Sequence, residues 1–179
     1  MRGQFWSFDA VFGILLFILG IIILTYSWIT ISGNYSSISS DNTAVMQAEL
    51  NQLSSALFLR GNPTNWNSVV NVSNPSTWSG VSVGLGSNYG SSDISENKLL
   101  ALLAMSTYNY SLTKETLGVT FDYYINITTN IPSFSIQIGK NPNNFNPTSV
   151  NKLSEPVLIN GQPGKATITI WTNTTFGVS

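Results

Sequence analysis

The sequence predicts an α+β protein in which one long N-terminal helix, apolar in its first half and amphipathic in its second, packs on a small antiparallel β-sheet. Three observations carry this. No side chain from Ala10 to Leu24 is polar. Met46, Leu50, Leu53 and Leu57 then fall at i, i+4, i+7 and i+11, a single helical stripe. Further on, Val119, Phe121, Tyr123, Ile125 and Ile127 alternate with Thr120, Asp122, Tyr124, Asn126 and Thr128, the period of a half-buried strand.

Composition narrows the function before any motif is read. The chain has 179 residues, with 7 Lys and Arg against 8 Asp and Glu, so 8% is charged; ordinary soluble domains have about 25%. Nucleic acid is not an expected partner, because nothing here neutralises a run of phosphates. There is neither His nor Cys. Zinc sites built on those ligands, Ser-His-Asp or Cys-His nucleophiles and thiol redox chemistry are therefore unavailable. We expect no catalytic residue, no metal and no cofactor, and a surface of Asn, Ser and Thr suited to a crowded assembly or a glycan coat.

The apolar run continues from Leu24 to Ile31 with Thr25, Ser27 and Thr30 as mild interruptions. At about 1.5 Å per residue, Ala10 to Ile31 spans about 33 Å, enough for a hydrocarbon core of about 30 Å. Phe5, Trp6 and Phe8 precede it and Tyr26 and Trp28 mark its exit, as an aromatic belt requires. A buried soluble helix is the lesser reading, since nothing downstream is large enough to wrap it. A cleaved secretory signal would be shorter and end in a small-x-small site, which Trp28-Ile29-Thr30-Ile31 does not provide. Arg2 and the amino terminus are the only positive charges before Arg60, so the N-terminus is expected in the cytoplasm and residues from about 33 onward outside.

The string before this run, Arg2-Gly3-Gln4-Phe5-Trp6-Ser7-Phe8-Asp9, resembles the class III signal sequence of archaeal type IV pilins. In that family a prepilin peptidase cuts after Gly and leaves the hydrophobic segment on the mature protein. The resemblance implies cleavage between Gly3 and Gln4, a leader of residues 1–3, and a pilin-like fold. Asp9 matches the family's acidic residue near the mature N-terminus, one position later than is usual. Two readings of Asp9 stand side by side: a carboxylate that meets the amine of a neighbouring subunit, or one that sits in the first helical turn and favours the positive end of the helix dipole.

Residues 4–32 thus form a transmembrane or filament-core helix and 33–60 its amphipathic continuation. The stretch 32–42 holds few good helix formers, so a fray or kink is expected there. Gln47, Asn51, Ser54 and Ser55 are expected on the face opposite the apolar stripe. A head domain of residues 61–179 follows. Its opening, Gly61 to Trp66 (GNPTNW), resembles a turn found in archaeal pilin-like proteins after their first helix; Gly and Pro stop the helix and Trp66 caps the end of the core. A short strand is expected near 80–85. Asp93 and Glu96 have the spacing of a capping box opening the apolar run Leu99–Met105, preferred here to a calcium site or an acid-base pair. A helix over about 109–117 should end at Gly118. After the strand at 119–128, Phe134, Ile136 and Ile138 mark a second, and segments 156–160 and 165–172 flank a hairpin turn at 160–164.

Glycosylation sequons begin at Asn34, Asn71, Asn109, Asn126 and Asn173. Their number is about what chance gives in so Asn-rich a chain, but all fall on the side expected outside. The resulting expectation is a non-enzymatic subunit of an archaeal type IV pilus-like filament. It would be held in the membrane as a precursor, cut by prepilin peptidase, and assembled with its own copies through the N-terminal helix. It would then sit at the cell surface, with N-glycans and a role in adhesion. The alternative is a single-pass anchored extracellular binding protein that does not polymerise. Replacing Gly3 by a bulky residue should leave the precursor uncut in the membrane, and N-terminal sequencing of the unsubstituted mature protein should begin at Gln4; retention of Met1 on functional protein would overturn the cleavage.

Overall fold

The computed structural model describes residues 4–87, 93–130 and 133–173, with side chains over 10–27, 43–87, 93–129 and 134–173. Two compact units are present, Met1–Asn42 and Thr43–Ser179. Helix α1 (Gln4–Leu57) is helical throughout, so the fray expected over 32–42 is not found. Ser, Asn and Thr each cost only a few tenths of a kcal/mol relative to better formers, less than nucleating a helix a second time.

The second unit is α+β. After α1 come α2 (Trp66–Val69), a 3₁₀ turn (Pro75–Trp78), β1 (Asp93–Ile94), α3 (Glu96–Tyr108), α4 (Tyr110–Thr116), β2 (Asp122–Asn130), β3 (Ser133–Gly139), a second 3₁₀ turn (Pro142–Asn144), β4 (Ser149–Ile159) and β5 (Gln162–Thr172). The strands form one sheet in the order β1-β4-β5-β2-β3. Four pair antiparallel, but β1 lies parallel to β4. The sheet is therefore mixed, correcting the antiparallel expectation; β1 reaches its neighbour from a distant part of the chain and not through a hairpin, which frees its direction.

The hairpin is longer than its hydrophobic pattern suggested. The turn is Asn160-Gly161 alone, with φ of 52° and 76°, the two positive values a type I′ turn requires. Gln162, Pro163 and Gly164 already belong to β5, and β4 starts at Ser149. Its first half carries Asn151, Lys152 and Ser154 among apolar residues, so backbone pairing with β5 defines it where alternation does not.

No strand forms at 80–85. Residues 81–87 are irregular, joined only by isolated bridges Asn62–Ser82 and Gly86–Ile94. Two of their backbone donors go to the end of α1 and just past it: Leu85 N donates to Leu57 O at 2.6 Å and Gly86 N to Leu59 O at 2.8 Å. A Cβ at Gly84 would strike the backbone of Leu59 and Gly61, so only glycine permits this approach. Trp66 is fully buried and its Nε1 donates to Gly84 O at 2.7 Å, closing the core as expected.

The expected capping box is also absent. The N-cap of α3 is Ser95, which makes no side-chain capping bond. Pairing of β1 with β4 holds Asp93 in extended chain, where its carboxylate accepts from the Ser87 hydroxyl, while Glu96 accepts from Asn160 Nδ2 at 2.6 Å. Helix α4 matches its expected span, with Gly118 at φ 69° just beyond it.

Met46, Leu50, Leu53 and Leu57 are each at most 1% exposed and join one core with Leu99, Leu102, Tyr123, Ile125, Ile127, Ile138, Ile168 and Ile170. The second half of α1 thus covers the sheet. Gln47, Asn51 and Ser55 are exposed as expected, but Ser54 is buried, its Oγ donating to Glu155 Oε1 at 3.5 Å; β4 passes close enough to enclose that edge of the stripe. Leu50→Ala or Leu53→Ala should cost about 2–5 kcal/mol, since the enclosed site cannot refill the cavity. Val45→Ala, on the exposed side of the same helix, should change stability by no more than about 0.5 kcal/mol. Urea denaturation of Thr43–Ser179 followed by circular dichroism distinguishes them; equal effects would refute the packing role of the stripe.

Candidate functional site

The candidate site is the apolar surface of α1. Every large apolar side chain from Val11 to Leu24 is exposed, between 48% and 71%. The window Ala10–Ser27 has a mean hydropathy of 2.5 and no buried residue, and it is long and apolar enough to cross a membrane by length and composition. One hydroxyl near its end is satisfied internally: Thr25 Oγ1 donates to Ile21 O at 2.8 Å. That bond lowers the cost of placing threonine in hydrocarbon.

Gly3 lies outside the described residues. Gln4, Asp9 and Asn34 belong to α1, with side chains outside the described set. Because α1 begins at Gln4, its first turn contains no acidic residue. Asp9 falls in the second turn, where the helix dipole has largely decayed. The first-turn reading of Asp9 is therefore corrected.

The other sequons separate by local structure. Asn71 is exposed, its Oδ1 accepting from Ser73 N at 3.0 Å in a turn built from the sequon itself. Asn173 is exposed just after β5. Asn126 lies on the polar face of β2, where Ser135 Oγ donates to its Oδ1 at 3.5 Å. Asn109 has a structural duty: it is the N-cap of α4, its Oδ1 accepting from Leu112 N at 3.0 Å. An Asn directly before a helical segment was the available signal for that cap.

Three polar devices in the second unit were not read from the sequence. Glu49 of α1 accepts from Thr120 N at 2.7 Å, Thr120 Oγ1 at 2.6 Å and Phe121 N at 3.0 Å, fastening the entry to β2. Lys98 is buried and donates to Arg60 O at 2.6 Å and Gly86 O at 3.0 Å. Burial, and then the Arg60 charge, lowers its pKa. The third is centred on Asp122, whose Oδ1 accepts from Tyr110 OH at 2.9 Å and lies 3.7 Å from Lys114 Nζ and 3.6 Å from Lys140 Nζ. Tyr123 N donates to Tyr110 OH, the two rings stack at 5.1 Å, and Tyr123 OH donates to Ser106 Oγ.

This last cluster holds the most titratable groups, yet its chemistry is that of a brace. Burial pushes the Tyr110 phenol far up and Tyr123 up to about 12, so both stay protonated and hydrogen-bonded at neutral pH. Among the described residues no group of three or more acidic side chains is placed to hold a metal ion. Both phenols keep protons that the unfolded chain releases above its ordinary tyrosine value of about 10. Their contribution is complete below that value; for Tyr123 it is lost as pH rises from about 10 through about 12, a decline of about 2–3 kcal/mol. Tyr123→Phe should flatten this alkaline decline, measured as unfolding free energy against pH; an unchanged slope would contradict the burial of that phenol.

Compared with known proteins, no family model, no curated protein and no solved structure matches the chain.

Proposed function

We propose that the chain is a non-enzymatic structural subunit of an archaeal type IV pilus-like surface filament. Its apolar segment holds the precursor in the membrane with the N-terminus cytoplasmic. Prepilin peptidase cuts between Gly3 and Gln4, and the helix then passes into a filament core where neighbouring copies replace lipid. The observation that carries this reading is that α1 is both things at once. Residues 10–27 are uncovered and apolar, while Met46 to Leu57 of the same helix are fully buried in the sheet domain. A pilin-like fold fits the same arrangement, a long helix whose distal half covers a small sheet.

The polar faces support a surface location. Asn71 and Asn173 are exposed and Asn126 lies half-buried on the polar face of β2, which suits N-glycans at the first two, and the scarcity of charge suits close packing of copies. With the dipole role removed, Asp9 is assigned to the amine of a neighbouring subunit, since a carboxylate in hydrocarbon costs a few kcal/mol without a partner.

Outside lipid the apolar helix must bury its surface against other copies, at roughly 25 cal/mol per Å². A chain starting near residue 34 should be a soluble monomer with its sheet intact, whereas the full mature chain should form filaments. Asp9→Ala should weaken filament formation without disturbing the sheet domain. Size-exclusion chromatography and electron microscopy read these outcomes. Filaments built by the shortened chain would overturn the helix-core mechanism, and full-length protein that stays in membranes as single copies would favour an anchored binding protein instead.

A further inference from the structure

In a chain with so few charges, most charged side chains of the second unit are tied within their own copy, as Glu49, Lys98 and Asp122 are. Among the described residues three are not: the charged groups of Glu115, Lys152 and Lys165 have neither a hydrogen bond nor an ion pair. All three are exposed. Glu115 does not stand on an open surface, however. It lines a cleft of about 350 Å³ between the first 3₁₀ turn and α4, together with Pro75, Trp78, Ser79, Leu112 and Thr116. No basic side chain is among the described residues of that lining. One unmatched carboxylate beside apolar walls has the chemistry to take a lysine, whose methylene stem covers apolar surface while its ammonium meets the acid.

We infer that this cleft receives Lys165 from the sheet domain of a neighbouring copy of the chain. The inference rests on the filament reading above and adds to it a contact between heads. Charge complementarity is the first argument, since the carboxylate and the lysine are each left over in their own copy. Position is the second. Glu115 follows Lys114, whose Nζ lies 3.7 Å from Asp122 Oδ1, so the cleft sits toward the Asp122 end of β2. Lys165 is paired in register with Thr128, six residues further along β2, a rise of about 20 Å. The two groups therefore lie toward opposite ends of one sheet, too far apart to meet within a copy. A contact between unlike patches at opposite ends is heterologous, and such contacts build open helical arrays when the rotation does not close. Lys152 is the poorer partner: it faces Thr169, which pairs with Tyr124 near the Asp122 end, the same end as the cleft. An exposed ion pair adds little affinity by itself. Its use here is to fix the register and direction in which heads stack.

Glu115→Lys and Lys165→Glu are made singly and together in the full mature chain, and the critical concentration for assembly is read by sedimentation of filaments. Each single reversal sets like charges against each other and should raise that concentration about tenfold. The double exchange should bring it most of the way back, which damage to either site alone would not do. Thermal unfolding of the sheet, followed by circular dichroism on the same chains, should be unchanged. Intact filaments indifferent to both reversals, or defects that the exchange does not repair, would overturn the inference while leaving the filament reading standing. Repair of Glu115→Lys by Lys152→Glu in place of Lys165→Glu would also overturn it. Absence of filaments from the unsubstituted chain would remove both. As a further variant, Glu115→Gln keeps the shape of the side chain and should make assembly less sensitive to salt than in the unsubstituted chain; an equal salt response would count against the pair.

Discussion

The carbonyls at the end of α1 and just past it take their donors from distant parts of the second unit, and much of that unit is arranged around supplying them. Leu57 O and Leu59 O receive the backbone N–H groups of Leu85 and Gly86, and Arg60 O receives the Lys98 ammonium. A buried carbonyl left without a donor costs about 1–3 kcal/mol, so these bonds are close to obligatory once the helix end is enclosed. They draw residues 81–87 onto the helix end in irregular chain. From there the polypeptide runs into β1 beside β4, and then into α3, whose Lys98 returns to the same place. Gly84 and Gly86 follow from this crowding, because a side chain at either would collide with the backbone of Phe58, Leu59 or Gly61, just past the end of α1.

A second constraint is the scarcity of charge. With 8% charged residues, most of the available carboxylates and ammonium groups are engaged in holding elements together. Glu49 fastens α1 to the entry of β2, Glu96 ties α3 to the β4–β5 turn through Asn160, and Asp122 gathers Tyr110, Lys114 and Lys140 at one end of the sheet. Little charge is left to keep copies apart, and a protein so composed has weak electrostatic resistance to self-association.

What could be read from the sequence was whatever repeats along it. The apolar run is a matter of local composition, while the Met46–Leu57 stripe and the alternation through β2 and β3 are local periodicities, each matching an element whose burial has the same period. What could not be read depends on residues far apart. Glu49 meets Thr120 and Phe121 across more than seventy residues, and Lys98 meets Arg60 across thirty-eight. No spacing rule announces such pairs. The Asp93 and Glu96 pattern shows the opposite failure: a valid local motif was overridden because β1 pairs with β4 and each carboxylate found a better partner. At 80–85 the weak alternation of Val81, Val83 and Leu85 looked like a strand, but Ser82 pairs in an isolated bridge with Asn62 and Leu85 N donates to the last residue of α1. Within the candidate site the apolar length of α1 was legible, because it is a matter of local composition.

In the proposed filament, lipid and protein compete for the same surface, and that sets what assembly can use. Hydrocarbon tails are as apolar as Leu and Ile, so moving Ala10–Ser27 from membrane to helix core gains little from the hydrophobic effect itself. The preference for the filament then has to come from features that lipid cannot match. Close packing is one, and Gly13 and Gly20 permit it by leaving open space on α1. Pairing of Asp9 is another, because a carboxylate that finds an amine escapes a cost of a few kcal/mol.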